Sequence, residues 1–309
     1  MLWIRILILP LALLADRLIG DPRTVLHPVA LIGRFIGWWG RPARIPAHLH
    51  RFTGILMWVI TVILLALPFY CVEYYLPWYL YLVAGPFLLN FCFAWRSLEE
   101  HTMSVVSSLQ NNLPEGRKQV ALLVSRNTED LDPGQVLSAA FESLSENLVD
   151  SIIAPLFYFA LFGLAGAAVY RAANTMDAML GYRDDRIRLG WFSARADDVF
   201  NFIPARIAGA LLLLYFAWRG RFGRAYQTLK KDGHKRPGMN GGIPIAIIAG
   251  GTGVRFEKPG VYHIGPGVVA IEEAGNEIVA AVRAVTLIFS LLMVTALLLL
   301  GSLAKYIGI

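Results

Sequence analysis

Residues 151–170 carry no charged side chain, and an apolar run of that length can cross a bilayer as a helix. Before it stands FESLSENLVD (141–150), with Glu142, Glu146 and Asp150. After it stand YRAANTMDAMLGYR (170–183) and ARADDVFNFIPAR (194–206). Ionisable groups flanking such a segment are costly unless they are paired, coordinated or used. The stretch 142–206 therefore reads as a functional site, and the rest of the chain as its support.

Composition sets the class. Apolar residues make up 56% of the chain and charged residues only 16%, against about a quarter charged in a soluble domain. The expectation is an all-α integral membrane protein, with four or five hydrophobic membrane helices and helical cytoplasmic loop segments. The net charge of +6 fits positive-inside topology or an anionic substrate. No basic patch is interleaved with stacking aromatics, so nucleic acid is not an expected partner. Cys71 and Cys92 are far apart and form neither a disulfide framework nor a metal site. The N-terminal apolar run lacks a small-residue cleavage site and reads as a retained anchor.

The apolar segments are residues 1–15, 54–71, 78–95, 151–170, 205–218 and 285–303. The first is short for a span, and so is 205–218. The link 72–77 has no Lys or Arg, whereas 16–52 and 96–150 are rich in arginine, which puts the latter two in the cytoplasm. Residues 97–150 and 219–284 have soluble character, and 182–204 is loop-rich and charged. Asp130 and Asp132-Pro133 form a helix start. On the helix from Pro133 to Asp150, Glu142, Glu146 and Asp150 fall within about an 80° arc. A single crossing by 151–170 would place them on the opposite membrane face from the cluster at 171–201. One shared site requires that segment to be re-entrant, buried in protein, or reached from both ends.

Three carboxylates on one helix face repel one another without a cation between them, which makes Glu142, Glu146 and Asp150 a candidate Mg²⁺ site. Asp177, Asp197 and Asp198 form a second acidic group. Arg171, Arg195 and Arg206 are candidate clamps for phosphate or carboxylate, since guanidinium binds both in a bidentate manner. Asn147, Asn174 and Asn201 lie among these charges as neutral donors. The glycine-rich piece 238–254 is a weak candidate for backbone anion binding. There is no Walker loop and no Rossmann fingerprint. His27, His234 and His263 match no zinc spacing.

Several of these stretches together resemble the cobinamide-phosphate synthase family, CbiB/CobD, of cobalamin biosynthesis. The resemblance covers nearly the whole chain. It rests on ADRLIGDPRTVLHPVALIGR (15–34), SRNTEDLD (125–132), FESLSENLVDSIIAPLFY (141–158), YRAANTMDAMLGY (170–182), ARADDVFNFIPAR (194–206) and GVRFEKPGVYHIG (253–265). Asn127 stands where the family motif has an aspartate. Gly238-Met239-Asn240 replaces its usual Ser-Pro-Asn, with His234 and Asn240 kept.

The resemblance implies a multi-pass enzyme of the cell membrane with its active site facing the cytoplasm. Such an enzyme joins adenosylcobyric acid to an aminopropanol, as its O-phosphate or free, using ATP as co-substrate and Mg²⁺. Its expected partners are that corrinoid, the amine, ATP, membrane lipid and other late membrane enzymes of the pathway. The roles of individual residues are expected from their own chemistry and are not fixed by the resemblance. Glu142, Glu146, Asp177, Asp197 and Asp198 are expected to be catalytic, and Glu142, Glu146 and Asp150 to bind metal. Asn147, Arg171, Asn174, Arg195, Asn201, Arg206, His27, His234 and Asn240 are expected to contact substrate. Two rivals remain at this stage. A regulatory sensor of the AmpE type would have less need for three polar clusters. A transporter shares the broken apolar segments, but the chain has no internal repeat.

Overall fold

The structure is a computed structural model, and it describes residues 2–20, 27–182 and 184–307. Asp21 and Arg23, within the first resemblance motif, lie outside the described residues. In chain order the helices are α1 Leu2–Leu18, α2 Pro28–Trp39, α3 His50–Tyr75, α4 Trp78–Asn90, α5 Trp95–Asn111, α6 Leu113–Val120 and α7 Pro133–Leu148. They continue with α8 Ala154–Leu180, α9 Trp191–Phe200, α10 Phe202–Trp218, α11 Phe222–Asp232, α12 Gly242–Thr252 and α13 Ile271–Ile307. Strands β1 Phe256–Lys258 and β2 Tyr262–Ile264 form an antiparallel hairpin, with Phe256 opposite Ile264.

Among the described residues, 4 helical stretches are long and apolar enough to cross a membrane: Ala47–Tyr75, Trp78–Asn111, Pro133–Leu180 and Ile271–Leu303. The pair α9 and α10 makes up to 5 when taken as one span. This is a multi-pass, helical membrane protein. Helix α1 has only 17 residues and falls short of that group.

Two expectations change. Residues 182–204 are not simply loop, because α9 occupies their second half. The glycine-rich stretch 238–254 does not offer a row of open amides. It folds mostly as α12, which is buried at Gly242 and from Pro244 to Thr252, and whose backbone is hydrogen-bonded within the helix.

The chain divides into two compact units. The first comprises Met1–Ala94, Ala154–Asn201 and Ser290–Ile309. Here α3 packs along α8 and α9, α2 against α8, and α1 against α4. Helix α8 is broken at Gly163, whose φ of 73° no ordinary residue adopts cheaply. The Glu73 carboxylate fills the break, and Arg5 pairs with it at 2.8 Å.

The second unit comprises Trp95–Ile153 and Phe202–Phe289. Helix α7 runs through it because its start is strongly specified. Asp132 accepts the Gln135 N–H at 2.8 Å, Gln135 Oε1 accepts the Asp132 N–H at 3.1 Å, and Pro133 takes the first helical turn. Val136, Ala139 and Ala140 of α7 then join Val105, Val120 and Leu131 in an apolar core. The β hairpin docks on α7 where the Ser138 hydroxyl accepts the Glu257 N–H at 2.6 Å. After Leu148 the chain makes a π turn, Val149–Ile153, a local widening often found at functional sites.

Candidate functional site

The site residues fall into two clusters, one in each unit. In the second unit, α7 presents Glu142 and Glu146 one turn apart. The loop before α7 supplies Arg126, whose Nη2 donates to Glu142 Oε2 at 2.8 Å and whose Nη1 donates to the Glu257 carbonyl at 3.1 Å. The Tyr262 hydroxyl on β2 donates to the other oxygen of Glu142. Burial, and then the Glu142 charge, pushes the Tyr262 phenol well above its usual range, so it remains a donor. Arg236, from the loop after α11, donates to Glu146. Lys258 of β1 is a further cationic neighbour of Glu146. Glu142 is buried and Glu146 half-buried, so each charge needs the partner it has.

The same unit holds five more of the expected residues, Asn147, Asp150, Arg206, His234 and Asn240. Asn147 donates back to the Ser143 carbonyl at 3.0 Å and accepts from the Ser151 hydroxyl at 2.9 Å. Arg206 donates to Asn240 Oδ1 at 2.9 Å and lies 3.5 Å over the Phe202 ring. His234 is exposed beside this loop. Asp150 lies in the π turn after α7 and is a further acidic neighbour of Arg236. Among the described residues, no three of His, Cys, Asp and Glu converge as a metal-holding group. Glu142 and Glu146 are engaged by Arg126, Tyr262 and Arg236, so a cation there would have to displace a guanidinium.

In the first unit, Asp197 of α9 accepts from two neutral amides, Asn174 Nδ2 at 3.2 Å and Asn201 Nδ2 at 2.9 Å. The Tyr170 hydroxyl donates to Asn201 Oδ1 at 2.8 Å, which fixes that amide's orientation. Asp177 and Asp198 are the neighbouring acidic charges. The Asp177 carboxylate folds back over Gly181, where a side chain would strike it. Asp198 meets the exposed Arg195 at 3.5 Å. Among the described residues, the buried Nε of Arg171 has no hydrogen-bond acceptor. His27 caps α2 by accepting the Val29 N–H at 3.2 Å, and its ring packs edge-on against Phe91. A carboxylate held by neutral amides beside a second carboxylate has the donor chemistry Mg²⁺ uses.

Sequence reasoning missed Arg126, Arg236, Tyr262 and Lys258. Arg126, Lys258 and Tyr262 stand inside the motifs SRNTEDLD and GVRFEKPGVYHIG, which carried the resemblance without being given roles. Arg236 had no signal beyond its basic neighbourhood.

A family model described as CobD/Cbib protein matches residues 9–303. The chain is 41% identical to a probable cobalamin biosynthesis protein CobD of Thermococcus kodakarensis, over 94% of this chain and 95% of that protein. It is 40% identical to the protein of the same description from Methanothermobacter thermautotrophicus, over 84% of this chain and 86% of that one. The corresponding Pyrococcus abyssi protein is 41% identical over 84% of this chain and 85% of its own length. No solved structure matches the chain.

Proposed function

The chain belongs to the CobD/CbiB family of cobalamin biosynthesis, and from that premise we propose that it is the membrane ligase that makes the aminopropanol amide of adenosylcobyric acid. The amine substrate in this reading is (R)-1-aminopropan-2-ol O-phosphate or the free aminoalcohol. The enzyme sits in the cell membrane with its site on the cytoplasmic face, where ATP is available.

The observation that carries the reading is the convergence of Arg126 and Arg236, from two separate loops, on adjacent turns of α7. A carboxylate is a poor acyl donor. Transfer of the ATP γ-phosphoryl group to one of its oxygens gives an acyl phosphate and releases ADP. The amine nitrogen then attacks the acyl carbon, the C–O bond to phosphate breaks, and inorganic phosphate leaves. The stabilisation needed is of negative charge on phosphoryl oxygens, and guanidinium donors already held in place supply it without reorganisation. Arg126 and Arg236 bind the phosphates in this scheme, with Lys258 adding charge. The amine must attack unprotonated, and Glu146, half-buried beside a cation, accepts its proton.

Mg²⁺, when bound, would supply positive charge to an anionic ligand. On donor chemistry Asp197 and Asp177 would hold such an ion within the first unit, since Glu142 and Glu146 already have cationic partners.

The test is an assay of purified protein in detergent with adenosylcobyric acid, each amine form, ATP and Mg²⁺, read by mass spectrometry for the amide. Product from the wild type and its loss in Arg236→Lys support the reading. No product with either amine, from protein shown to be folded, rejects it.

A further inference from the structure

We propose that the outward face of α11 is an interfacial lipid site that takes anionic phospholipid headgroups. The helix has two unlike sides. Ala225, Thr228 and Asp232 are buried at helical spacing. The nearby arginines are also used inwards. Arg224 donates to the Gly250 and Gly251 carbonyls at 2.7 and 3.0 Å, and Arg221 pairs with Glu277 at 2.5 Å.

The opposite side carries Phe222 and Tyr226, 46% and 41% exposed, with their rings stacked 5.6 Å apart. Lys230 lies 5.7 Å from the Tyr226 ring centre, and Lys231 beside it is exposed. Among the described residues neither lysine forms an ion pair.

Two observations say what covers this face. The first is continuity with a lipid-type surface. Helix α10, part of the fifth candidate span, exposes Phe202, Ile203 and Leu214, and it ends on Trp218, which is 80% exposed. The chain turns at Gly220 and enters α11 within four residues of that tryptophan. Exposed Trp and Tyr at the end of an apolar helix mark the headgroup level of a bilayer. The second is charge. Stacked aromatics followed by lysines reproduce the makeup of helices that lie in the membrane interface and favour anionic lipid. An aqueous protein surface would leave three large aromatic side chains in water with nothing gained.

The test uses full-length protein in nanodiscs. A nitroxide is placed at position 226 through Tyr226→Cys, with Cys71→Ser in the background. Cys92, 1% exposed, is left in place. A label at Lys118, whose side chain is 76% exposed, is the aqueous reference. Spin relaxation by oxygen, against that by a water-soluble nickel chelate, is expected to dominate at 226 and to be reversed at 118. In parallel, native mass spectrometry counts phosphatidylglycerol retained over phosphatidylcholine. Lys230→Gln with Lys231→Gln should lower that preference by about fivefold per lysine. A label at 226 as water-exposed as that at 118 overturns the interfacial placement. An unchanged lipid preference in the double variant overturns the anionic site. Neither readout depends on amide synthesis, so this proposal and the ligase reading fail separately.

Discussion

The Glu73 carboxylate accepts the backbone N–H of Leu164 at 2.8 Å, in the middle of α8. That buried amide needs an acceptor because Gly163 leaves helical geometry, and Arg5 neutralises the carboxylate that supplies it. A Cβ at 163 would collide with the Glu73 oxygens and lie 2.6 Å from Arg5 Nη2. One acid on α3 thus satisfies the break in α8 at Gly163, upstream of Arg171, Asn174 and Asp177.

Gly163→Ala should therefore destabilise the protein by about 1–3 kcal/mol, the scale of a residue forced into a sparsely populated backbone region. Glu73→Gln leaves the half-buried Arg5 without its counter-charge and should cost about 1–3 kcal/mol. Thermal unfolding in detergent, followed by circular dichroism, measures both. An unchanged Tm in Glu73→Gln would mean that the pair does not hold the break.

Gly241→Ala separates site geometry from stability. A Cβ there would lie 2.6 Å from Arg236 Cζ and 2.7 Å from Nη1, at the flexible end of that side chain. The guanidinium can move aside, so stability should change by less than about 1 kcal/mol. Moving it away from Glu146 should still lower kcat by about a hundredfold, as losing one preorganised donor does. Wild-type kcat in a folded Gly241→Ala protein would remove Arg236 from the reaction.

Asp197→Asn should abolish Mg²⁺-dependent stabilisation. A ligand at a hundred times its Kd stabilises the native state by about 2.7 kcal/mol. A Tm rise with Mg²⁺ in the wild type and in Glu142→Gln, but not in Asp197→Asn, is the expected pattern. A shift kept in Asp197→Asn and lost in Glu142→Gln would return the metal to α7.

Asp232 gives a pH signature outside the membrane helices. Burial pushes its carboxyl up, but the Lys235 ammonium at 2.7 Å and the Gly265 N–H at 2.9 Å outweigh that and hold it below its usual range. A depressed carboxyl contributes stability that is complete above its unfolded pKa, about 4, and is lost as pH falls through the lower folded value. The wild-type Tm should therefore fall more steeply than that of Asp232→Asn below about pH 4, with parallel curves above it. Parallel curves throughout would show that the ion pair adds nothing.

The membrane class, the main apolar helices and the start of α7 were all legible in the sequence. They depend on local chemistry: long uncharged runs, and Asp132-Pro133 with Gln135 in reach. The acidic and amide residues of 142–201 were also legible, because charged groups beside apolar segments demand an explanation. What each carboxylate touches was not. Glu142 and Glu146 looked like a metal face with Asp150 when the helix was drawn as ideal. Arg126, Arg236 and Tyr262, from up to 120 positions away in sequence, occupy Glu142 and Glu146.

The sequence by itself determined which segments are helical and apolar, where polar chemistry concentrates, and to which family the motifs point, because periodicity, composition and short motifs are local properties. Only the tertiary structure decided that the Glu residues of α7 are paired with arginines, that Asp197 is held by neutral amides, and that Glu73 fills the break in α8. Those depend on contacts between distant parts of the chain, and burial makes each partner's charge decide what the other can do.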